Sequence, residues 1–260
     1  MARDLNNCGE RLLNGLTGRV LVITGSGISA DSGIPTFRGE GGYWRTYKAE
    51  ELATQAAFKS HPEVVWSWYR ERRTIISAAQ PNAAHIALVA LAQQCREFLL
   101  ITQNVDDLHE RATVAGRSLA ASQIVHIHGE IFVTRCPRCG HSTMDRHSCA
   151  TQEMPRCLVC QALMRPGVVW FDEELDPQME GRVRDFLAGG DCDVVLAIGT
   201  TATFDYIQQW AAAGRGQNGW LAEINPHETI LSQKADQVIR ERAAAVLPGL
   251  VMNAHRSLAH

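Results

Sequence analysis

Short apolar runs recur along the chain, and each opens into a polar or glycine-rich stretch. Arg19–Thr24 (RVLVIT), Phe98–Thr102 (FLLIT), Asp193–Ile198 (DVVLAI) and Trp220–Ile224 (WLAEI) are apolar with few breaks rather than alternating, with Val125–His128 as a shorter candidate. Strands of this kind are covered on both faces, as in a parallel sheet. Helix-like stretches fall between them at Ala83–Arg96 and Phe204–Ala213. The alternation predicts a doubly wound α/β domain, in which ligands bind at the carboxyl ends of the strands. The loops 25–39, 103–109, 128–132, 199–203 and 225–229 follow such ends and are expected to line one crevice.

Two stretches break the alternation. Residues 40–80 read as helix with no strand, and residues 134–163 carry two cysteine pairs. Cys136–Cys139 and Cys157–Cys160 form C-x2-C-x17-C-x2-C, a spacing that suits four thiolates around one zinc. The competing reading is four unrelated buried cysteines; Cys149, His141 and His147 are further ligand candidates without a paired spacing. Four thiolates close the coordination sphere, so such a zinc is structural. A ribbon of this type is by itself equally a contact module for nucleic acid or protein. The expected architecture is therefore α/β: a Rossmann-like doubly wound parallel sheet with a smaller inserted lobe made of a zinc ribbon and a helical module. The sheet domain is expected from 1–39, 81–133 and 164–260, the helical insertion from 40–80 and the ribbon from 134–163.

Composition narrows the class. Apolar residues make up 45% of the 260 and charged residues 20%, which excludes a disordered chain. A net charge of -3 argues against a partner as anionic as nucleic acid or a charged membrane surface. No apolar stretch approaches a bilayer span, and the N-terminus lacks the apolar core of a signal peptide, so a cytoplasmic location is expected. The remaining cysteines, Cys8, Cys95, Cys149 and Cys192, are scattered and do not form a disulfide framework.

Three loops carry candidate chemistry. GSGISADSGIPTFRG (25–39) follows a strand, as phosphate-cradling loops do, but lacks the G-x-G-x-x-G spacing. Its tail is more telling: Phe37 can cover a reactive centre and Arg38 offers a fixed cation, although a core phenylalanine and a surface arginine satisfy the same pattern. TQNVDDLH (102–109) crowds amides and carboxylates at a strand end, where Asn104 or Asp106 can bond a ligand or simply cap the next helix. In VHIHGE (125–130), His128 falls at a strand end beside Gly129, with a side chain suited to general-base work near neutral pH, and Glu130 is placed to tune it or to lie in solvent.

Together these stretches resemble the sirtuins, NAD-dependent protein lysine deacylases. GSGISADSGIPTFRG (25–39), TQNVDDLHERA (102–112), HGEIF (128–132), the two CxxC pairs, RPGVVWF (165–171), GTTA (199–202) and INPHET (224–229) run in the family's order across nearly the whole chain. The resemblance implies NAD as a consumed co-substrate, one structural zinc, and acyl-lysine proteins as partners. It implies NAD contacts from Gly25, Ser26, Gly27, Ala30, Asp31, Phe37 and Arg38, with the last two shielding and organising the reactive ribose. Gln103, Asn104 and Asp106 would sit by nicotinamide and its ribose, Gly199 and Thr200 by the phosphates, and Asn225 by the adenine-side ribose. His128 matches the general base that deprotonates a ribose hydroxyl. Val168, Val169 and Trp170 would line the acyl-lysine channel, with Phe171 beginning a strand that pairs with the substrate. The implied products are free lysine, nicotinamide and O-acyl-ADP-ribose. Two alternatives stand beside this reading: an NAD-dependent protein ADP-ribosyltransferase, and an interaction protein that binds NAD without turning it over.

GGYWR (41–45), ELAT (51–54) and WYRERR (68–73) look like the class III branch, whose members remove succinyl and malonyl groups. The resemblance implies that Tyr69 and Arg72 read a distal carboxylate and that the small Ala53 widens the pocket. Three positions apart, the pair shares a helix face; a surface pair within the arginine run 70, 72, 73 is the alternative. The chain departs from the family pattern at four places: Ser26 where Ala is usual, Asp172 where WFGE has Gly, Gln55 where Pro is common, and Glu241 where a glycine often approaches the adenine. Asp172 is expected to alter peptide preference or repel acidic sequences, and Glu241 to weaken NAD binding.

Overall fold

The computed structural model describes residues 18–37, 42, 48–146 and 153–257. Its main sheet contains β1 (Arg19–Thr24), β2 (Glu97–Thr102), β3 (Ile124–His126), β7 (Val194–Ile198), β8 (Trp220–Ile224) and β9 (Gln237–Ile239), in the order β3-β2-β1-β7-β8-β9. Every pairing is parallel. The strand order reverses direction between β1 and β7, the kind of switch point at whose carboxyl ends such sheets bind ligands. The doubly wound α/β expectation is met.

The unbroken apolar character of the strands is explained by cores on both faces. Val20 and Val22 of β1 pack in one core with Leu88 and Leu91 of the helix Ala83–Ala92 and Leu247 and Leu250 of the helix Ala243–Ser257. Leu21 and Ile23 point the other way, into a core with Val183 of Pro177–Ala188 and Ile207 and Ala211 of Asp205–Arg215. The predicted helices shift by a few residues: Ala83–Ala92 stops short of Arg96, and Asp205–Arg215 starts after Phe204. β9 has three residues and no apolar run to announce it.

The smaller lobe holds a second sheet, antiparallel, from β4 (Gly129–Arg135), β5 (Ser142–Met144) and β6 (Arg165–Val168), ordered β5-β4-β6. It is wider than the predicted ribbon, running from Gly129 to Val168. The reason lies at Gly129, whose φ of +74° turns the chain out of the main sheet and whose missing Cβ would stand 2.3 Å from the Gly167 carbonyl oxygen. β3 therefore ends at His126, and His128 sits at the joint between the two sheets. Three helices, Ala49–Leu52, Gln55–Ser60 and Pro62–Ala78, pack on this lobe through Trp66, Tyr69 and Ile76 against Ile131, Phe132 and Val168. Arg73 belongs to no surface run. It is 0% exposed and donates to the Ile131 and Val133 carbonyls (2.7 and 3.2 Å) and to Thr134 Oγ1 (3.0 Å), pinning its helix to β4. Among the described residues no single helix is long and apolar enough to cross a membrane.

Candidate active site

A cavity of about 1220 Å³ lies between the carboxyl edge of the main sheet and the smaller lobe. Small-molecule pockets usually span ~300–1,000 Å³, so this one has room for a dinucleotide together with an inserted side chain. All five loops singled out in the sequence contribute to its wall.

The loop after β1 meets the loop after β7 backbone to backbone. Gly25 N–H donates to the Ile198 carbonyl at 3.0 Å, and Gly27 N–H donates to that of Gly199 at 2.9 Å. A Cβ on Gly27 would stand 2.7 Å from Gly199 Cα, and Gly199 itself sits at φ +59°. The glycines thus let two loops touch, and the N–H groups of Gly25 and Gly27 are spent on that contact rather than aimed at a phosphate. Ser26, Ala30, Asp31 and Phe37 face the cavity, and Asp31 accepts from Arg242 Nη1 at 3.0 Å. Arg38 lies outside the described residues.

Residues from three strand ends lock together beside this contact. Gln103 Nε2 donates to Thr200 Oγ1 at 2.7 Å, and Asn225 Nδ2 donates to the Thr200 carbonyl at 3.0 Å. Asn104 is buried; its Nδ2 donates to Ser29 Oγ (3.1 Å), which donates in turn to Asp106 Oδ2 (3.0 Å). Asp106 is therefore not on the cavity wall. It lies behind Asn104 and Ser29, and its Oδ1 also accepts the Leu108 N–H at 3.1 Å, starting the helix Leu108–Arg111. Burial raises the Asp106 pKa, against the opposing pull of the Leu108 and Ser29 hydrogen bonds. The cap position of that helix is Asp107, so Asp106 serves the helix start from one residue before the cap, and Asn104 keeps its place at the cavity.

His128 is held at both ring nitrogens. Nδ1 lies 2.9 Å from the Gln103 carbonyl oxygen, which can only accept, so Nδ1 carries the proton. Nε2 is then the basic nitrogen, and it accepts from Tyr206 Oη at 2.6 Å. Phe204 stands edge-on to the imidazole at 5.5 Å between centroids. Neither Tyr206 nor Phe204 was expected from the sequence; an aromatic pair two apart, directly after the Gly199–Thr201 turn, was the available signal. Glu130 acts elsewhere: its field falls on His126, whose hydrogen bond and charge contact with Glu110 outweigh burial and raise its pKa.

The lobe side of the cavity carries the apolar wall. Val168, Val169, Trp170, Phe171 and Ala53 line it. The Arg165 guanidinium lies over the Trp170 ring, 3.4 Å from its centroid, and Glu173 pairs with that arginine. Phe171 does not begin a strand: β6 ends at Val168, and the Phe171 N–H donates to the Ala53 carbonyl at 3.0 Å.

Tyr69 and Arg72 are 2% and 4% exposed and both line the cavity, which overturns the surface-pair alternative. The guanidinium carbon of Arg72 lies 4.6 Å from the Phe37 centroid and 4.7 Å from that of Trp68. Trp170 Nε1 donates to Tyr69 Oη at 3.0 Å, which leaves the phenol proton to be donated elsewhere. Burial raises the Tyr69 pKa, Arg72 pulling the other way, so the phenol stays neutral.

The departures at Asp172 and Gln55 meet. Both Asp172 carboxylate oxygens accept the Gln55 N–H at 2.9 Å, so that charge is directed at the protein's own helix start rather than presented unpartnered to a peptide. Glu241 is exposed, while its neighbour Arg242 forms part of the wall.

The four predicted cysteines converge, all four sulfurs lying within 4.8 Å of one another. Cys136 Sγ is 3.5 Å from Cys160 Sγ, and Cys139 Sγ is 3.5 Å from Cys157 Sγ. Tetrahedral zinc–thiolate bonds of about 2.3 Å place sulfurs roughly 3.8 Å apart, so the cluster fits one zinc. The two knuckles are built alike. Cys136 N–H bonds the His141 carbonyl and Gly140 N–H returns to Cys136; Cys157 N–H bonds that of Ala162 and Gln161 N–H returns to Cys157. His141 is not part of the cluster, and His147 and Cys149 lie outside the described residues.

Residues 25–205 match the model of the Sir2 family. The chain is 39% identical over 239 residues to the NAD-dependent protein deacylase 1 of Archaeoglobus fulgidus, covering 92% of this chain and 94% of the relative. It is 40% identical over 241 residues to the NAD-dependent protein deacylase of Pyrococcus furiosus, covering 91% and 93%. Its fold is similar to that of a Sir2 homologue in complex with ADP-ribose, at TM-score 0.87 and 38% identity over 96% of this chain and 97% of the other. A Sir2 homologue–NAD complex is similar at TM-score 0.82 and 39% identity, over 96% and 94%.

Proposed function

The chain belongs to the Sir2 family, and from that premise we infer that it removes acyl groups from protein lysine side chains at the expense of NAD, with a preference for groups ending in a carboxylate, succinyl and malonyl, over acetyl. The preference rests on one observation: the buried Arg72 guanidinium faces the cavity beside the neutral Tyr69 phenol. Arg holds a carboxylate bidentately and the phenol adds a third donor. The Phe37, Trp68 and Tyr69 rings around the guanidinium keep water away and strengthen its attraction for a carboxylate that enters the cavity. An acetyl group brings a methyl to that place and offers neither donor an acceptor.

NAD supplies a sugar carbon that becomes strongly electrophilic as nicotinamide departs. The chain's residues do the rest. The Gln103–Thr200–Asn225 lattice and the wall from Gly25 to Phe37 would hold the dinucleotide, with Asn104 fixed by Ser29 near its reactive end. Val168 and Trp170 confine an acyl-lysine side chain and exclude water, which supplies proximity and shielding. His128 keeps an unprotonated Nε2 directed into the cleft and accepts a proton there.

Mass spectrometry of the products from NAD and matched acetyl-, malonyl- and succinyl-lysine peptides tests the reading. O-acyl-ADP-ribose and free lysine are expected, with kcat/KM highest for the carboxylate-bearing groups. Arg72→Met is expected to lower succinyl kcat/KM at least tenfold while sparing acetyl turnover. Unchanged succinyl activity in that variant defeats the pocket assignment, and label from NAD appearing on protein instead of on the acyl product defeats the deacylase reading.

A further inference from the structure

His128 Nε2 has one lone pair, and Tyr206 already occupies it, with Oη at 2.6 Å. A sugar hydroxyl that must give its proton to Nε2 therefore has to displace the phenol or act through it. The tyrosine ring is poorly placed to leave. It stacks on Phe204 with centroids 5.3 Å apart and planes 12° apart, and it leans on Trp210 at 5.1 Å. Its helix, Asp205–Arg215, is anchored by the buried Ile207 and Ala211 under the sheet. Tyr206 and His128 both line the cavity, and Tyr206 is only half-buried.

We propose that Tyr206 relays the proton of the base step, standing between the sugar hydroxyl and His128 Nε2. The reading rests on the deacylase activity inferred above. In the step the sugar O–H breaks as its oxygen bonds the activated acyl carbon, and that proton goes to Tyr206 Oη. The proton already on Oη passes to Nε2, and the imidazolium that forms keeps its Nδ1–H on the Gln103 carbonyl. The phenol ends as it began, and charge balances without an outside reactant. Burial raises the Tyr206 pKa, with Glu180 adding to it, so the phenol passes protons in concert and does not rest as a phenolate.

Tyr206→Phe keeps the stacked ring and removes only the relay atom. Histidine-selective nitrogen NMR of the ligand-free protein is expected to show the His128 Nε2 resonance moving in Y206F, with the Nδ1–H form retained. With NAD and an acyl-lysine peptide, acyl transfer is expected to fall roughly ten- to hundredfold. KM for both substrates should change less than twofold, and exchange of labelled nicotinamide into NAD, which precedes the base step, should persist. An unmoved Nε2 resonance, transfer at or above the parent rate, or exchange and transfer falling together would each overturn the relay. A parent protein that exchanges no nicotinamide with any acyl-lysine peptide would instead overturn the deacylase reading.

Discussion

The carboxylate of Asp172 closes on the backbone N–H of Gln55, 2.9 Å from both oxygens. Next to this clasp, Phe171 N–H bonds the Ala53 carbonyl at 3.0 Å, so the cavity wall from the lobe helices and that from the segment after β6 are tied at one point. Two departures from the family pattern become one feature here. The proline common at position 55 has no N–H to donate, and the glycine usual at 172 has no carboxylate to receive it.

Asp172→Ala and Gln55→Pro should therefore act as one change. Position 55 begins the helix Gln55–Ser60, where proline is well tolerated, so only the donor is lost. Each variant is expected to raise the peptide KM about two- to threefold with kcat unaffected, and the double variant should be no worse than either single one, as shared partners require. Additive effects on peptide KM would mean that the clasp does not shape the entrance.

His128→Ala is expected to keep the fold and lose kcat by at least about a hundredfold, the typical contribution of a positioned base. The imidazole's two hydrogen bonds join the strand-end loops, so a drop in Tm of a few degrees accompanies it. Steady-state turnover with thermal unfolding checks both. A variant as active as the parent removes His128 from the chemistry.

Zinc content of one per chain is expected by elemental analysis. Among the described residues the knuckles have a small apolar cluster of their own, Cys136, Cys157 and Met164, with Cys160 and Ala162 packed against it. Strong chelation should therefore lower the Tm and loosen the lobe that carries Val168 and Trp170, costing peptide binding as well as stability. Cys157→Ser should do the same without chelator. A protein that loses its metal with Tm unchanged would show the cluster to be dispensable.

Acid stability is expected to depend on His85. It is completely buried in the helix Ala83–Ala92, its ring centroid 4.9 Å from that of His109. Burial, with Arg111 nearby, lowers its pKa to about 4 from the ordinary 6.5, and His109 is lowered by burial in the same direction. The unfolded chain thus binds protons that the folded chain refuses. The neutral ring's stabilisation is complete above pH 6.5 and drains away as pH falls toward 4, by on the order of 3 kcal/mol for His85. His85→Gln, which can still serve the helix start through Asn82, should flatten that decline in denaturant titrations between pH 7 and 4. An equally steep decline in the variant would place the acid sensitivity elsewhere.

What the sequence determined by itself is whatever repeats locally or carries its own spacing. Unbroken apolar runs such as Val20–Ile23 announce strands covered on both sides, and the loops after them had to gather at one edge. The paired C-x2-C spacing announced a single point where four sulfurs meet, because each knuckle closes within five residues. Tertiary structure alone decided the rest. It turned the glycine loop's N–H groups toward the β7 loop, drew Asp106 behind Ser29, buried Arg73, and brought Tyr206 to His128 and Asp172 to Gln55. The last two pairs are 78 and 117 positions apart. No periodicity spans such distances; those contacts exist because two sheets and their helices pack in one particular way, and packing is a property of the whole chain.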